Sequence, residues 1–338
     1  MNSTMSLNYT PKVSVIVPVY NTELYVERAI ISLMEQTLDD VQFIIIDDGS
    51  KDNSFEIIKT VIARYPCRMN QVTLISRGNK GVAATRSEGM VIAKGQYVIH
   101  LDSDDWVEPN WLESMYTKAV LDNADVVVCD FVMVYKEHQE YYHNNVANLG
   151  RECVKRLLSG EISNSNCDKL VSRELLNKYE INFHGGFDMG EDFLVTLLAF
   201  INAQSVTHVD QVLFYYNRTN ENSLTKSYTL KALSDLADIV QLADRYLNKA
   251  KLDNYCQYEM NIFKLNVRGL FIVHSQGDMN LIKYALNLYP NTNSMIFSSK
   301  VKILKVLYLM RLLGIESLSK WILWIWLWLK KLVDREFR

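Results

Sequence analysis

Two short runs near the start of the chain, "KVSVIVPVYN" (12–21) and "VQFIIIDDGS" (41–50), are β-branched and continuously apolar. That is the pattern of strands buried on both faces of a parallel sheet. Between them Val26, Ala29, Ile30, Leu33 and Met34 recur at helical spacing and make one apolar stripe able to pack on such a sheet. The alternation continues with a helix over 53–64, a strand over 72–76, a helix over 82–93, a strand over 97–101, a helix over 109–121 and a strand over 125–130. This order predicts a doubly wound α/β domain. Past residue 226 the strand pattern stops, and "LKALSDLADIVQLADRYLNKA" and the segments after it read as amphipathic helices.

In an open α/β sheet the ligand binds outside the carboxyl ends of the strands. The polar residues there are Pro18, Tyr20 and Asn21 after the first strand, Asp47 and Asp48 after the second, Asn79 and Arg86 after the third, and Asp102, Ser103, Asp104 and Asp105 in "YVIHLDSDDW". Taken singly, each set has a local explanation as turn, cap or solvated helix residue. Their joint placement at successive strand ends predicts one shared cleft. Three carboxylates on one strand end repel each other unless a cation joins them. A hard ion such as Mg²⁺ or Mn²⁺ prefers oxygen ligands and keeps positions open for phosphates, so a nucleotide diphosphate is the ligand expected.

The ordered set "VSVIVPVYN", "IIIDDGSKD", "NKGVAATR", "YVIHLDSDDW" and, later, "DMGEDF" resembles family 2 glycosyltransferases of the GT-A fold. These move a sugar from a nucleotide diphosphate to an acceptor hydroxyl. The resemblance spans residues 12–225, with 12–130 as the nucleotide-binding half and 131–225 as the acceptor half. "CDKLVSREL" (167–175) and "YYNRTNENSLT" (215–225) resemble segments of bacterial members that build surface polysaccharides. The first departs from the commoner form, which carries an aromatic residue in the neighbourhood that Cys167 occupies.

The resemblance implies that Tyr20 stacks near a uracil and that Asp48 accepts from its imide N–H; Pro18, Asn21, Asn79 and Ser103 fall on the same donor side. It implies that Asp102 lies near the ribose or completes the metal shell, that Asp104 is the direct metal ligand, and that Arg86 stabilises the diphosphate or the base region. Arg218 would close over the pyrophosphate, where a guanidinium offsets leaving-group charge. The reaction also needs a base for the acceptor proton. "FHGGFDMGEDFLVTLLAF" (183–200) supplies Glu191 and Asp192 at the start of an apolar helix, where carboxylates are favoured by the helix dipole alone. By resemblance Asp192 is the expected base, with Glu191 and Asp188 as the other candidates.

No nucleophile arrangement argues for a covalent intermediate, so a single displacement with inversion is expected. Glycoside hydrolysis would instead use two carboxylates flanking the bond and no diphosphate contacts. A sugar nucleotidyltransferase would carry a Gly-rich, Lys-containing loop where "PVYNTELY" stands, and neither a G-x-G-x-x-G nor a P-loop occurs. The remaining alternative is a catalytically silent, sugar-nucleotide-binding subunit that recruits a partner at the membrane; intact Asp48, Asp104 and Asp192 argue against silence.

Composition adds a location. The first eleven residues are polar and lack an apolar stretch of the signal-peptide kind, and the five cysteines show no C-x-x-C spacing. Reduced thiols in the cytosol are expected. His184 and His208 lie nearest the catalytic half and are expected to be structural. Residues 300–338 hold nine Lys or Arg against three Asp or Glu, a net of +6, leaving −9 for the rest of a chain whose total is −3. Four of the six tryptophans lie in the same stretch, at 321, 324, 326 and 328. The run "WILWIWLWL" has nine residues, short of the roughly twenty that span a bilayer. Tryptophan and flanking lysine suit the headgroup zone, so these helices are expected to lie on the cytoplasmic membrane face. The organisation expected is a tail at 1–11, the catalytic domain at 12–225, a helical module at 226–299 and membrane-associating helices at 300–338. The expected acceptor is a saccharide or lipid-linked glycan, and no nucleic-acid partner is expected.

Overall fold

The computed structural model describes residues 10–187, 189–221, 223, 228–275, 277–299, 302–313, 321–322 and 325–326. The chain divides into two compact units: one comprises residues 1–157 and 161–223, the other 158–160 and everything from 224 onward.

The first unit alternates strands and helices as the apolar runs predict. β1 (Val13–Val19), β2 (Val41–Asp47), β3 (Val72–Ser76) and β4 (Tyr97–His100) alternate with α1 (Val26–Met34), α2 (Ser54–Ala63) and α3 (Val82–Ile92). β3, β2, β1 and β4 lie side by side and are parallel, with Val13 opposite Val41 on one side and Tyr97 on the other. Val13, Val15 and Val17 face one side of the sheet, where α1 and α2 supply Val26, Ile30, Leu33, Ile58 and Val61, and α4 (Trp111–Leu121) supplies Trp111, Leu112 and Met115. On the other face α3 approaches β1 so closely that a Cβ at Gly89 would sit 2.4 Å from Ile16 Cγ2. Pro18 is tolerated inside a central strand because the β1–β4 ladder runs only from Val13 to Ile16 and no partner there asks for its N–H.

Beyond β4 the sheet turns mixed, which the local pattern did not reveal. β8 (Lys169–Ser172) inserts antiparallel between β4 and β6 (Val126–Val134). β7 (Gln139–Tyr142) pairs with the end of β6, and β9 (Val206–Asn217) runs parallel to β6. β5, only Trp106–Val107, is antiparallel to β9. The helices of this half are α5 (Gly150–Ser159), α6 (Arg173–Lys178) and α7 (Glu191–Asn202).

The second unit is helical, in line with the loss of strand pattern: α8 (Leu230–Lys249), α9 (Gln257–Val273), α10 (Met279–Asn287) and α11 (Lys302–Leu312). Arg268 of α9 is fully buried. It donates to the carbonyls of Ala285 and Leu286 and to the side chains of Thr292 and Asn293, at 2.9–3.1 Å. It thereby supplies donors to carbonyls of the last turn of α10, where helical partners run out. Among the described residues no helix is long and apolar enough to cross a membrane. Most of the basic, tryptophan-rich end lies outside the described residues, Trp324, Trp328, Lys320, Lys330 and Lys331 included.

Candidate active site

The loops after β1, β2 and β3 are tied together by their own polar side chains. Asn21, in the left-handed region at φ 51°, donates its N–H to Ser50 Oγ at 3.0 Å and accepts from Lys51 N at 2.8 Å through Oδ1. Thr22 reaches the next loop through a 3.0 Å hydrogen bond to Ser103 Oγ, so Ser103 is a buried strut between strand ends. Tyr20 stands exposed beside them.

Asp48 is buried, and the loop that carries Asn79 folds onto it. Gly81, at φ 89°, turns the chain so that the N–H groups of Lys80 and Gly81 donate to Oδ1 and Oδ2 at 2.8 and 2.9 Å. Arg77 completes the set on Oδ1 and is itself held by Glu88 at 2.8 Å and Thr85 at 2.9 Å. A carboxylate accepts about four hydrogen bonds, so one acceptor position remains on Oδ2. Arg77 carried no signal in the sequence, since nothing local announces that it turns back toward the end of β2.

At the end of β4 one cation collects three carboxylates. Arg86, buried on α3, donates to Asp102 Oδ1 at 2.6 Å, Glu191 Oε1 at 2.9 Å and Asp192 Oδ1 at 2.7 Å. Its guanidinium carbon lies 5.6 Å from the ring centre of Phe183. The resemblance implies a diphosphate or base contact for Arg86, whereas here its Nη hydrogen bonds go to carboxylates; it fastens the nucleotide-binding half to the start of α7.

Gly190, left-handed at φ 89°, precedes α7 and lets Glu191 and Asp192 open it. The two differ in what they leave free. Glu191 has a side chain only 8% exposed, and burial together with its neighbour Asp192 lifts its carboxyl to about 7. Asp192 has a side chain 25% exposed, and its Oδ1 receives Arg86 and, at 2.7 Å, the amide of Asn166. Asn166 is in turn fixed by Thr196 Oγ1 at 3.2 Å. Among the described residues nothing donates to Asp192 Oδ2. Burial holds the Asp192 carboxyl above the ordinary range, with Arg86 pulling the other way. Asp188 lies outside the described residues.

The acidic turn after β4 is held from above by the loop that ends β9. Asn217 N donates to Asp105 Oδ1 at 2.7 Å, Asn217 Nδ2 to the carbonyl of Asp104 at 3.0 Å, and Asn220 Nδ2 to Asp104 Oδ2 at 2.8 Å. The two-residue β5, paired with β9 at Trp106–Tyr215 and Val107–Phe214, brings this loop over the turn. Neither asparagine could be found from sequence, because a two-residue strand leaves no periodicity. Burial and the neighbouring Asp102 push Asp104 up to about 6, and Asp105 rises well above its ordinary value for the same reasons with Asp104 added.

Among the described residues Asp105 Oδ2 is buried with no hydrogen-bond partner. Donor atoms of Asp102, Asp105 and Cys167 lie within 4.8 Å of one another, with burial raising the Cys167 thiol well above its usual range. Crowded carboxylates with one orphan oxygen, offset among the described residues by Arg86 on Asp102 and more weakly by Arg28 near Asp105, fit a divalent cation. The sequence paired Asp102 with Asp104 as metal ligands; the geometry instead groups Asp102 with Asp105 and Cys167, and Asp104 Oδ2 is held by Asn220. Arg218 rests on the ring of Tyr216, 5.3 Å from its centre, with Nη1 3.1 Å from the hydroxyl.

The family described as Glycosyl transferase family 2 matches this chain over residues 14–180. EpsH of Bacillus subtilis (strain 168), named a glycosyltransferase, is 29% identical over 254 residues, covering 73% of this chain and 72% of that protein. The cholesterol galactosyltransferase of Borreliella burgdorferi is 30% identical over 267 residues, covering 75% of this chain and 71% of its own length. Among solved structures, S. aureus TarS 1–349 in complex with UDP-GlcNAc superposes with a TM-score of 0.64 at 18% identity, covering 91% of this chain and 90% of that one. That likeness is one of fold.

Proposed function

This chain belongs to glycosyl transferase family 2 and has the GT-A fold, and from that premise we propose that it moves a sugar from a uridine diphosphate donor to a hydroxyl of a glycan acceptor, inverting the anomeric carbon. The observation that carries the reading is Asp192, gripped by Arg86 and Asn166 through one oxygen while the other takes no described donor. A base must be fixed in place yet keep a lone pair free, and this carboxylate meets both demands.

Each remaining group has a task that its chemistry suits. Tyr20 offers an exposed aromatic face to a flat base. Asp48 keeps one acceptor position for an imide N–H after its three protein donors. Asp102, Asp104 and Asp105 would hold a divalent ion, Mg²⁺ or Mn²⁺, whose charge when bound offsets that of the departing nucleoside diphosphate. Arg218 adds a guanidinium for the same phosphates. Asp192 Oδ2 takes the acceptor proton as the hydroxyl attacks, with Arg86 and Asn166 keeping the carboxylate oriented. The UDP-GlcNAc bound by TarS supports a uridine donor, and the bacterial relatives named as glycosyltransferases support sugar transfer.

Replacing Asp104 by Ala opens the ion's shell and is expected to abolish turnover together with the gain in UDP affinity that Mn²⁺ gives. Calorimetry of wild type and Asp104→Ala with UDP, with and without Mn²⁺, reads this directly. An undiminished Mn²⁺ effect in the variant would remove Asp104 from the ion's ligands.

We also propose that the enzyme works at the cytoplasmic face of the membrane, where a lipid-linked or membrane-proximal acceptor is met. The support is the net charge of +6 over residues 300–338 beside an acidic body, and the tryptophan run too short to span. An acidic body is repelled by anionic lipid, so the basic end would orient the enzyme as well as attach it. Truncation after Ser317 is expected to release the protein from membranes while donor hydrolysis persists, and vesicle binding by the full chain is expected to weaken with salt. Unchanged sedimentation of the truncated protein with membranes would refute the placement.

A further inference from the structure

A second cluster of metal-ligating side chains lies on the β6–β9 pair and uses none of the residues assigned above to donor, ion or base. Asp130 of β6 is completely buried, and two imidazoles from different segments point at it. His143 Nδ1, just after β7, is 2.9 Å from Oδ2; His208 Nε2, on β9, is 2.9 Å from Oδ1. The two rings lie 5.2 Å apart, nearly edge to face, and one ligand atom from each of the three residues falls within 4.8 Å of the others.

The backbone is irregular at this point and nowhere else in the β6–β9 ladder. The register slips on both sides of Asp130, so that Cys129 faces Val209 while Asp130 faces Val212. The three extra residues of β9, Asp210 and Gln211 on one side and Leu213 on the other, make this a bulge opposite Asp130. Such bulges re-aim side chains and occur beside functional sites. The bulge leaves the exposed carboxylate of Asp210 3.9 Å from His143 Nδ1.

Burial of Asp130 does not by itself call for two imidazoles. Tyr141 Oη donates to Oδ2 at 2.6 Å and Asn144 N to Oδ1 at 2.9 Å, which already gives each oxygen a partner. The imidazoles instead reach in from the solvent side, with side-chain exposures of 52% for His143 and 20% for His208. Ligands at roughly 2.0–2.1 Å from a tetrahedral ion stand about 3.3 Å from one another. Opening the two 2.9 Å contacts by a few tenths of an ångström, and drawing together ligand atoms that now lie up to 4.8 Å apart, would admit one. Asn144 and Tyr141 then play the part that outer hydrogen bonds play around metal ligands, fixing the carboxylate from behind. Asn144 is anchored in turn to Asp168 Oδ2 at 2.9 Å and to the carbonyl of Cys129 at 2.7 Å.

We propose that Asp130, His143 and His208 bind a divalent transition-metal ion of the Zn²⁺ or Co²⁺ kind. Two imidazoles and one carboxylate suit such ions, whereas the all-oxygen turn after β4 suits Mg²⁺ or Mn²⁺. The ion would join β6, β9 and the segment after β7, and its remaining position faces solvent, where water or Asp210 completes the shell.

The test is a titration of tag-free, full-length, chelator-stripped protein with Co²⁺ in excess Mg²⁺, which fills an oxygen site without competing for imidazole. Wild type and Asp104→Ala are expected to take up one equivalent with the visible absorption of low-coordinate Co²⁺. His143→Ala and His208→Ala are expected to lose affinity by at least about a hundredfold, since outer-shell changes alone cost 10- to 100-fold. Thermal unfolding with Zn²⁺ guards against a folding artefact: wild type should gain stability from the ion, and His143→Asn should unfold cooperatively without that gain. No uptake by wild type would overturn the proposal and leave the cluster as a hydrogen-bonded brace. Uptake unaffected by either histidine variant would overturn it equally.

Discussion

Arg86→Met is expected to lose all transfer activity and about 3–5 kcal/mol of stability, the usual cost of removing one partner from a buried ionic cluster. The magnitude follows from what the guanidinium touches: Asp102 at the end of β4, and Glu191 and Asp192 at the start of α7, all within 2.9 Å. Methionine fills much of the volume, so the loss is one of charge and hydrogen bonding. The variant's loss should also depend on pH, with a definite sign. Glu191 has its carboxyl raised to about 7 in the folded protein, so its contribution to stability is present below the unfolded value and is lost as pH rises through about 7. Without Arg86 the Glu191 and Asp192 carboxyls rise further, and the variant should therefore be most deficient at alkaline pH and recover in mild acid. Urea unfolding of both proteins at pH 5.5 and pH 8 measures this. An equal, small deficit at both values would mean that Arg86 is not the counter-ion of the cluster.

Asp192→Asn is expected to lower transfer by about 10² or more, the scale of losing a general base, while leaving UDP affinity close to wild type. Asparagine can still accept from Arg86 and Asn166 through its oxygen, so the start of α7 should stay in place. What changes is the free position, which can no longer take a proton. Glu191→Gln should be milder, because the Glu191 side chain is almost wholly enclosed. Steady-state transfer together with UDP calorimetry separates the two roles. Wild-type transfer by Asp192→Asn would move the base to Glu191 or Asp188.

The first four strands and their helices were legible because a strand covered on both faces has no polar alternation to confuse it, and α1 shows its stripe at Val26, Ile30 and Leu33. The carboxylates were legible because they follow those strands directly. Partners delivered by distant pairings were not. Asn217 and Asn220 arrive over the acidic turn through the two residues of β5, and Asn166 meets Asp192 across 26 positions of chain. Arg86 was legible as one of the polar residues near the strand ends but not as a counter-ion, since its partners Glu191 and Asp192 lie more than a hundred positions away. His208 reads as an isolated structural histidine in sequence, and only the pairing of β9 with β6 brings it to Asp130 and His143.

On the proposed reading, one cluster of side chains holds a nucleotide-sugar and activates an acceptor hydroxyl. The most direct measurement is release of nucleoside diphosphate by the purified full chain from a panel of nucleotide-sugars, with Mn²⁺ and with chelator. Slow, metal-dependent release from at least one uridine diphosphate sugar is expected. Failure to turn over any member of the panel, with UDP bound equally well with and without metal, would contradict it.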